Sequence, residues 1–98
     1  MQIYSQKEDA VYTLKLTGRL NAVSAPQLEN QLSHSYEGTT RLVLDFSGID
    51  YISSAGLRVI LIAQKQMAKR GTLVLKNVVP EVMDVFEMTG FTGILKFE

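Results

Sequence analysis

The sequence predicts an α/β fold: a mixed, mostly parallel β-sheet with an antiparallel edge hairpin, packed against α-helices. Three observations point there. Apolar stretches with strand patterning alternate with stretches of helical period, in the order β-β-α-β-α-β-α-(β). Arg41 to Phe46 is a nearly continuous apolar run, the pattern of a central strand covered on both faces or of a parallel one. Helices lying between successive strands make right-handed crossovers, and hence a largely parallel sheet, the expected arrangement.

Residues 2–6 and 10–17 read as the first two strands. In the second, Val11, Tyr12, Leu14 and Leu16 mix β-branched, aromatic and aliphatic types, while Thr13, Lys15 and Thr17 alternate on the other face. The polar Lys7-Glu8-Asp9 between them reads as a hairpin turn, and Gly18 ends the second strand. Ser24-Ala25-Pro26-Gln27 starts a helix: Ser24 caps, Pro26 fits the first turn, and Gln27 completes a capping box. Leu28, Leu32 and Tyr36 follow on one face, and Gly38 stops the helix. The strand 41–46 is followed by a loop, Ser47 to Ile52, and by a second helix from Ser54 to about Arg70, ended by Gly71. Residues 72–76 form the next strand. Pro80 opens a third helix with Val82, Val85 and Phe86 inward and Gly90 at its stop. Ile94 to Phe97 form a final strand or an extended tail.

With 98 residues, the chain suits one domain spanning 1–98. Hydrophobic residues make up 46% and charged residues 20%, which is the balance of a folded globular chain and not of a disordered one. Ten basic and ten acidic residues cancel, so neither nucleic acid nor an anionic membrane is expected as the main partner. The absence of cysteine excludes a disulfide framework, a thiolate zinc site and a cysteine nucleophile, and a single histidine, His34, excludes a multi-histidine metal site. Neither a metal nor another cofactor is expected. A hydrolase triad would have to rest on His34, for which no serine–carboxylate pair is recognisable, so that class is set aside. The N-terminal Met1-Gln2-Ile3-Tyr4 lacks the basic and apolar regions of a signal peptide, and the longest apolar run, Val59 to Ala63, falls short of the roughly 20 residues of a membrane span. A soluble, cytoplasmic monomer is the expectation.

In an α/β sheet the chemistry sits at the carboxyl ends of the parallel strands, next to helix N-termini. Here that place is Asp45 to Leu57. A hydroxyl at Ser54 would stand beside free backbone N–H groups and the positive end of a helix dipole, well placed to carry a phosphate. The plainer alternative is that Ser54 is only an N-cap. Asp45 is a candidate for supporting the site, against the plainer role of bonding loop amides from a strand end.

The run Leu42-Val43-Leu44-Asp45-Phe46-Ser47-Gly48-Ile49-Asp50-Tyr51-Ile52-Ser53-Ser54-Ala55-Gly56-Leu57 resembles the signature of the STAS domain, the family of bacterial anti-sigma factor antagonists. Gly18-Arg19-Leu20-Asn21, Gly71 and Thr89-Gly90-Phe91 match in order, so the resemblance covers essentially the whole chain. It implies a mixed sheet flanked by helices, and a role in partner switching. The unphosphorylated antagonist binds an anti-sigma factor that is also a serine kinase and so frees a sigma factor. The kinase phosphorylates one serine at the start of the second main helix, and a serine phosphatase resets the system. Anchored on Gly56-Leu57, that serine falls on Ser54, with Ser53 as the alternative. Well-known members carry aspartate where this chain has Ser53, and many carry aspartate where it has Asn21. Asn21 and Asp45 are the residues expected to support the site. The alternative function is a STAS-type module that senses a ligand or nucleotide, or serves as a scaffold, without phosphorylation; no Walker-type Gly-rich loop is present.

At about 100° per residue, Arg58, Lys65 and Lys69 share one stripe of the second helix, with Ile62 inside it and Ala55 and Val59 beside it. Leu57, Ile60, Leu61 and Ala68 point the other way. Ser53, Ser54, Ala55, Arg58, Val59, Ile62 and Lys65 are therefore expected to form the partner surface, with Ile62 exposed and Leu57 and Leu61 buried.

Overall fold

Five strands lie side by side in chain order, the first pair antiparallel and the remaining pairs parallel. The computed structural model describes residues 1–98: β1 (Gln2–Glu8), β2 (Val11–Leu20), α1 (Ala25–Ser33), β3 (Arg41–Ile52), α2 (Ser54–Ala68), β4 (Thr72–Lys76), α3 (Pro80–Met88), a 3₁₀ turn (Phe91–Gly93) and β5 (Lys96–Phe97). The predicted β-β-α-β-α-β-α-(β) order is the observed one, and the last segment, expected as a strand or a tail, is a strand only over Lys96–Phe97. No helix is long and apolar enough to cross a membrane.

Because each parallel strand is laid down on the same side of its predecessor, crossovers of one hand put every helix on the same face. The core shows this. Leu14, Leu16, Leu42, Leu44, Phe46, Leu73 and Leu75 point to one face and pack with Leu28 and Leu32 of α1, Ile60, Ala63 and Met67 of α2, and Val82 and Phe86 of α3. Phe86 anchors α3, its ring 6.1 Å from Phe46, 6.1 Å from Phe91 and 5.5 Å from Phe97. Val43 and Val74 face the other way, outside this cluster, yet are only 4% and 0% exposed. On that helix-free face Arg41, which starts beside Thr72, reaches Glu98 at 2.9 Å, and Glu98 is held at Leu75 by its amide. The bridge crosses β4 at the level of Val74. The apolar run of β3 thus reflects a parallel strand buried on both faces, through Leu42 and Leu44 on one and Val43 on the other.

Several boundaries differ from the sequence expectation. The hairpin turn is Asp9-Ala10, with Glu8 still paired to Val11 and Asp9 at φ 55. The strands β2 and β3 do not stop at Gly18 and Phe46 but run on together to Leu20 and Ile52, with register shifts between Lys15 and Thr17 and between Gly18 and Arg19. Gly48 makes this possible, since a Cβ there would lie 2.5 Å from Thr17 Cγ2 and 2.8 Å from the Leu16 carbonyl. A glycine that reads as a loop residue is here the close-approach point of a bulged strand. Helix α1 ends at Ser33, short of Gly38, where the Ser35 hydroxyl donates to the Gln31 carbonyl (2.7 Å) and the Thr39 hydroxyl to the Ser35 carbonyl (2.6 Å).

The phase of α2 also differs. Its buried residues are Gly56, Val59, Ile60, Ala63 and Met67, while Leu57, Leu61 and Ile62 are half-buried and Ala68 is exposed. The helix packs on the sheet with one flank and on α1 with the next, so its buried arc is turned toward Val59.

Candidate functional site

Strands β2 and β3 end side by side, Leu20 opposite Ile52, and each is followed within a few residues by a helix. The Ser53 amide donates to the Leu20 carbonyl at 2.9 Å, which sets Asn21 and Ser53 next to each other at the carboxyl edge of the sheet. The first turn of α2 sits directly on these strand ends. A Cβ at Gly56 would lie 2.7 Å from Leu20 Cγ and 2.9 Å from Ile52 Cγ1, so glycine is what allows the helix to start this close.

The cap of α2 is Ser53, not Ser54. Ser53 has extended backbone (φ −101, ψ 175), and its Oγ accepts from the Gly56 amide at 3.5 Å. Because β3 continues through Ile52, a single residue separates strand from helix, and that residue takes the cap. Ser54 is then the first residue of the helix, exposed, with its hydroxyl not used for capping. No acidic residue lies in this first turn, so nothing on α2 itself offsets the positive end of its dipole.

Asn21 shapes the neighbouring loop. Its Oδ1 accepts from the Val23 amide (3.0 Å) and the Ser24 amide (3.1 Å), and the Ala25 amide donates to its carbonyl (2.8 Å). Asn21, rather than Ser24, therefore provides the side-chain acceptor that begins this helical turn. Ser24 is buried and its hydroxyl donates to the Arg19 carbonyl at 2.6 Å. Gln27, expected in a capping box, instead donates to the Met1 carbonyl at 3.2 Å. The loop holds Val23 at its apex, 88% exposed.

Asp45 lies elsewhere. It pairs in register with Lys15 and Lys76, seven residues before Ile52, and its carboxylate accepts from the Ser47 amide (2.9 Å) and the Asn77 side-chain amide (3.2 Å). It ties β3 to the end of β4 and does not touch the Ser53–Ser54 turn. Partial desolvation pushes its pKa up, but the bonds from the Ser47 amide, the Asn77 amide and the Ser47 hydroxyl, with the charge of Lys15, outweigh that and hold it below the usual value.

The expected partner residues are only partly assembled as a surface. Asn21, Ser53, Ser54, Ala55 and Arg58 gather at the carboxyl edge, beside a cleft of about 190 Å³ between α1 and α2 lined by Ala22, Ala25, Glu29, Ala55, Arg58 and Val59 among others. Val59 forms the cleft's inner wall at 5% exposure, Lys65 is exposed further along the helix, and Ile62 is half-buried where an exposed position was expected. Three residues absent from the expectation belong to this edge: Val23, Tyr51 (40% exposed) and Arg19, whose guanidinium sits 4.1 Å from the centre of the Tyr51 ring. The sequence signal for Val23 and Tyr51 was an apolar or aromatic side chain in a short loop of small polar residues or near a strand end, and that for Arg19 was its place in Gly18-Arg19-Leu20-Asn21. His34 is exposed, at the far end of α1.

The family model described as "Mlab, STAS domain" matches residues 3–96. BtrV of Bordetella bronchiseptica, named as an anti-sigma factor antagonist, is 43% identical over 96 residues, spanning 96% of this chain and 83% of BtrV. Among solved structures, an anti-sigma factor antagonist from Mycobacterium paratuberculosis superimposes with a TM-score of 0.89 at 20% identity, covering 98% of this chain and 83% of that one. The anti-sigma factor antagonist SpoIIAA in its unphosphorylated form superimposes with a TM-score of 0.84 at 19% identity, covering 99% and 88%.

Proposed function

The chain belongs to the STAS domain family of anti-sigma factor antagonists, regulatory binding proteins and not enzymes, and from that premise we propose that it is a phosphorylation-switched antagonist with Ser54 as the switch. In its unmodified state it binds an anti-sigma factor that is also a serine kinase, in the cytoplasm and as a monomer. The kinase transfers the γ-phosphoryl group of ATP to Ser54 Oγ; ADP leaves, the hydroxyl proton passes to the kinase, and the complex breaks. A serine phosphatase hydrolyses the phosphoserine and resets the cycle.

The observation that carries this proposal is the division of labour between the two serines. Ser53 supplies the cap, which leaves the Ser54 hydroxyl exposed and uncommitted at the first position of α2. A phosphate adds about −1.5 to −2 charges, and a helix N-terminus favours such charge by about 0.3–1 kcal/mol at an exposed site. The fold therefore tolerates the modification. A partner surface closed over a neutral hydroxyl does not, because burying an unpaired charge costs several kcal/mol. The docking surface in this proposal is Ser53, Ser54, Ala55 and Arg58, with Val59 as the wall of the adjoining cleft, Val23 and Tyr51 as apolar edges, and Ile62 and Lys65 continuing along α2.

Phosphopeptide mapping after incubation with the cognate kinase and ATP tests it. Label on Ser54 is expected. Label on Ser53 alone would move the switch, and label on neither serine would make the chain an unswitched STAS module.

A further inference from the structure

Arg58 stands one helical turn after Ser54 on α2, and both side chains are exposed. Residues four apart on a helix are surface neighbours, with about 5–6 Å between their Cβ atoms. The one ion pair in the structure joins Arg41 to Glu98, so the guanidinium of Arg58 is uncommitted. It lines the cleft between α1 and α2 together with Glu29, the other charged group there.

Resting on the proposed phosphorylation of Ser54, we propose that Arg58 is the internal counter-ion of the phosphorylated serine. The guanidinium folds back one turn onto the phosphate and leaves the cleft with Glu29 as its only charged lining residue. Modification then alters the docking surface in two places: it adds a dianion at Ser54 and withdraws a cation from the cleft beside it.

The geometry favours this pairing over its competitors. An anion placed four residues before a cation is the better order for such a pair on a helix, and a phosphate at Ser54, the first residue of α2, also meets the positive end of the dipole. Guanidinium and phosphate match in two-pronged hydrogen bonding. Arg19, the other cation at this edge, is stacked on Tyr51. Lys65 is on the same stripe but about 16 Å along the helix axis from Ser54. Of the carboxylates, Glu29 belongs to α1 across the cleft, and Asp50 is exposed on β3.

The test installs phosphoserine at position 54 during translation, so that no kinase is needed, and follows the phosphate by phosphorus NMR as the intact protein is titrated. An arginine partner favours the dianion and lowers the second phosphate pKa. That pKa should therefore rise by about 0.5 unit in Arg58→Gln, fall back in Arg58→Lys, and stay unchanged in Lys65→Gln. Equal values with and without Arg58 would overturn the assignment, and so would an equal rise in Lys65→Gln. A kinase that left Ser54 unlabelled would remove the proposed switch without altering this titration, so the two failures are distinguishable.

Discussion

Helices α2 and α3 occupy equivalent places in the topology: each leaves the carboxyl end of a parallel strand, β3 or β4, and each packs on the same face of the sheet. Their first turns are built differently. At α3 the cap position is Val79, which offers no side-chain acceptor, Pro80 fills the first position, and Glu81 supplies an anion to the turn. At α2 the cap is a serine side chain, the first position is an exposed serine, and no anion is present. One helix start is closed off by its own residues; the other is left open to an added charge. Topology makes both places candidates for a site, and local chemistry separates them.

The largest expected effect tests whether α3 is the structural member of the pair. Phe86 packs against three other phenylalanines and is fully buried. Phe86→Ala should cost about 3–5 kcal/mol in denaturant unfolding, from lost transfer energy and the cavity left behind. A cost below about 1 kcal/mol would mean that α3 is not an anchor and that the contrast with α2 fails.

The next effect concerns the loops that lead into the two helices. The path to α3 passes Asn77, at φ 58, whose side chain is held by Asp45. Asp45→Ala should cost about 1–2 kcal/mol at neutral pH, the value of hydrogen bonds to a charged acceptor reduced by its partial exposure. The pH dependence has a definite sign. The folded pKa of Asp45 lies below its ordinary value of 3.8, so the contribution is present above that pH and is lost as pH falls through the lower folded pKa. Urea titrations of both proteins from pH 7 downward should therefore converge in acid. A gap that stayed constant below the ordinary pKa would show that the carboxylate charge plays no part.

Smaller still is the difference between the two serines at α2. Ser53→Ala should cost about 0.5–1 kcal/mol, the lower part of the range for a lost cap, because the bond to the Gly56 amide is long at 3.5 Å. Ser54→Ala should change stability by less than about 0.5 kcal/mol, as an exposed residue with no structural bond. If the two costs were reversed in thermal unfolding, Ser54 would be the cap after all.

That pair of serines also marks where the sequence stops being informative. The strand and helix order was legible because period and turn chemistry are local. The stretch from the apolar positions Leu42 and Leu44 to the Gly56-Leu57 pair carried the family resemblance for the same reason. What was not legible depends on contacts between distant segments. Whether Ser53 or Ser54 caps α2 is decided by how far β3 runs, and β3 runs to Ile52 because Gly48 lets Thr17 of β2 come close. The burial of Val59 follows from the side on which α1 docks, which the period of α2 cannot reveal. Asp45 reads as a neighbour of the site only while the strand is thought to end beside it.

The smallest effect is the most direct measure of the difference between the two first turns, because it exchanges their charges. Ser54→Asp places an anion at the open end of α2, and Glu81→Gln removes the anion that α3 already has. If the helix ends behave as described, the first should raise stability and the second lower it, each by about 0.3–1 kcal/mol at low ionic strength. Both changes should shrink in salt, since an exposed charge and a helix end are screened over roughly 10 Å at 0.1 M. They should also differ in what they do to the partner. Glu81 lies on α3, outside the Ser54 edge, so its loss should leave binding unchanged, whereas the carboxylate at position 54 should abolish binding while the fold becomes firmer. A Ser54→Asp protein that lost binding and stability together would mean that the first turn of α2 is not an open anion site, and the contrast with α3 would disappear with it.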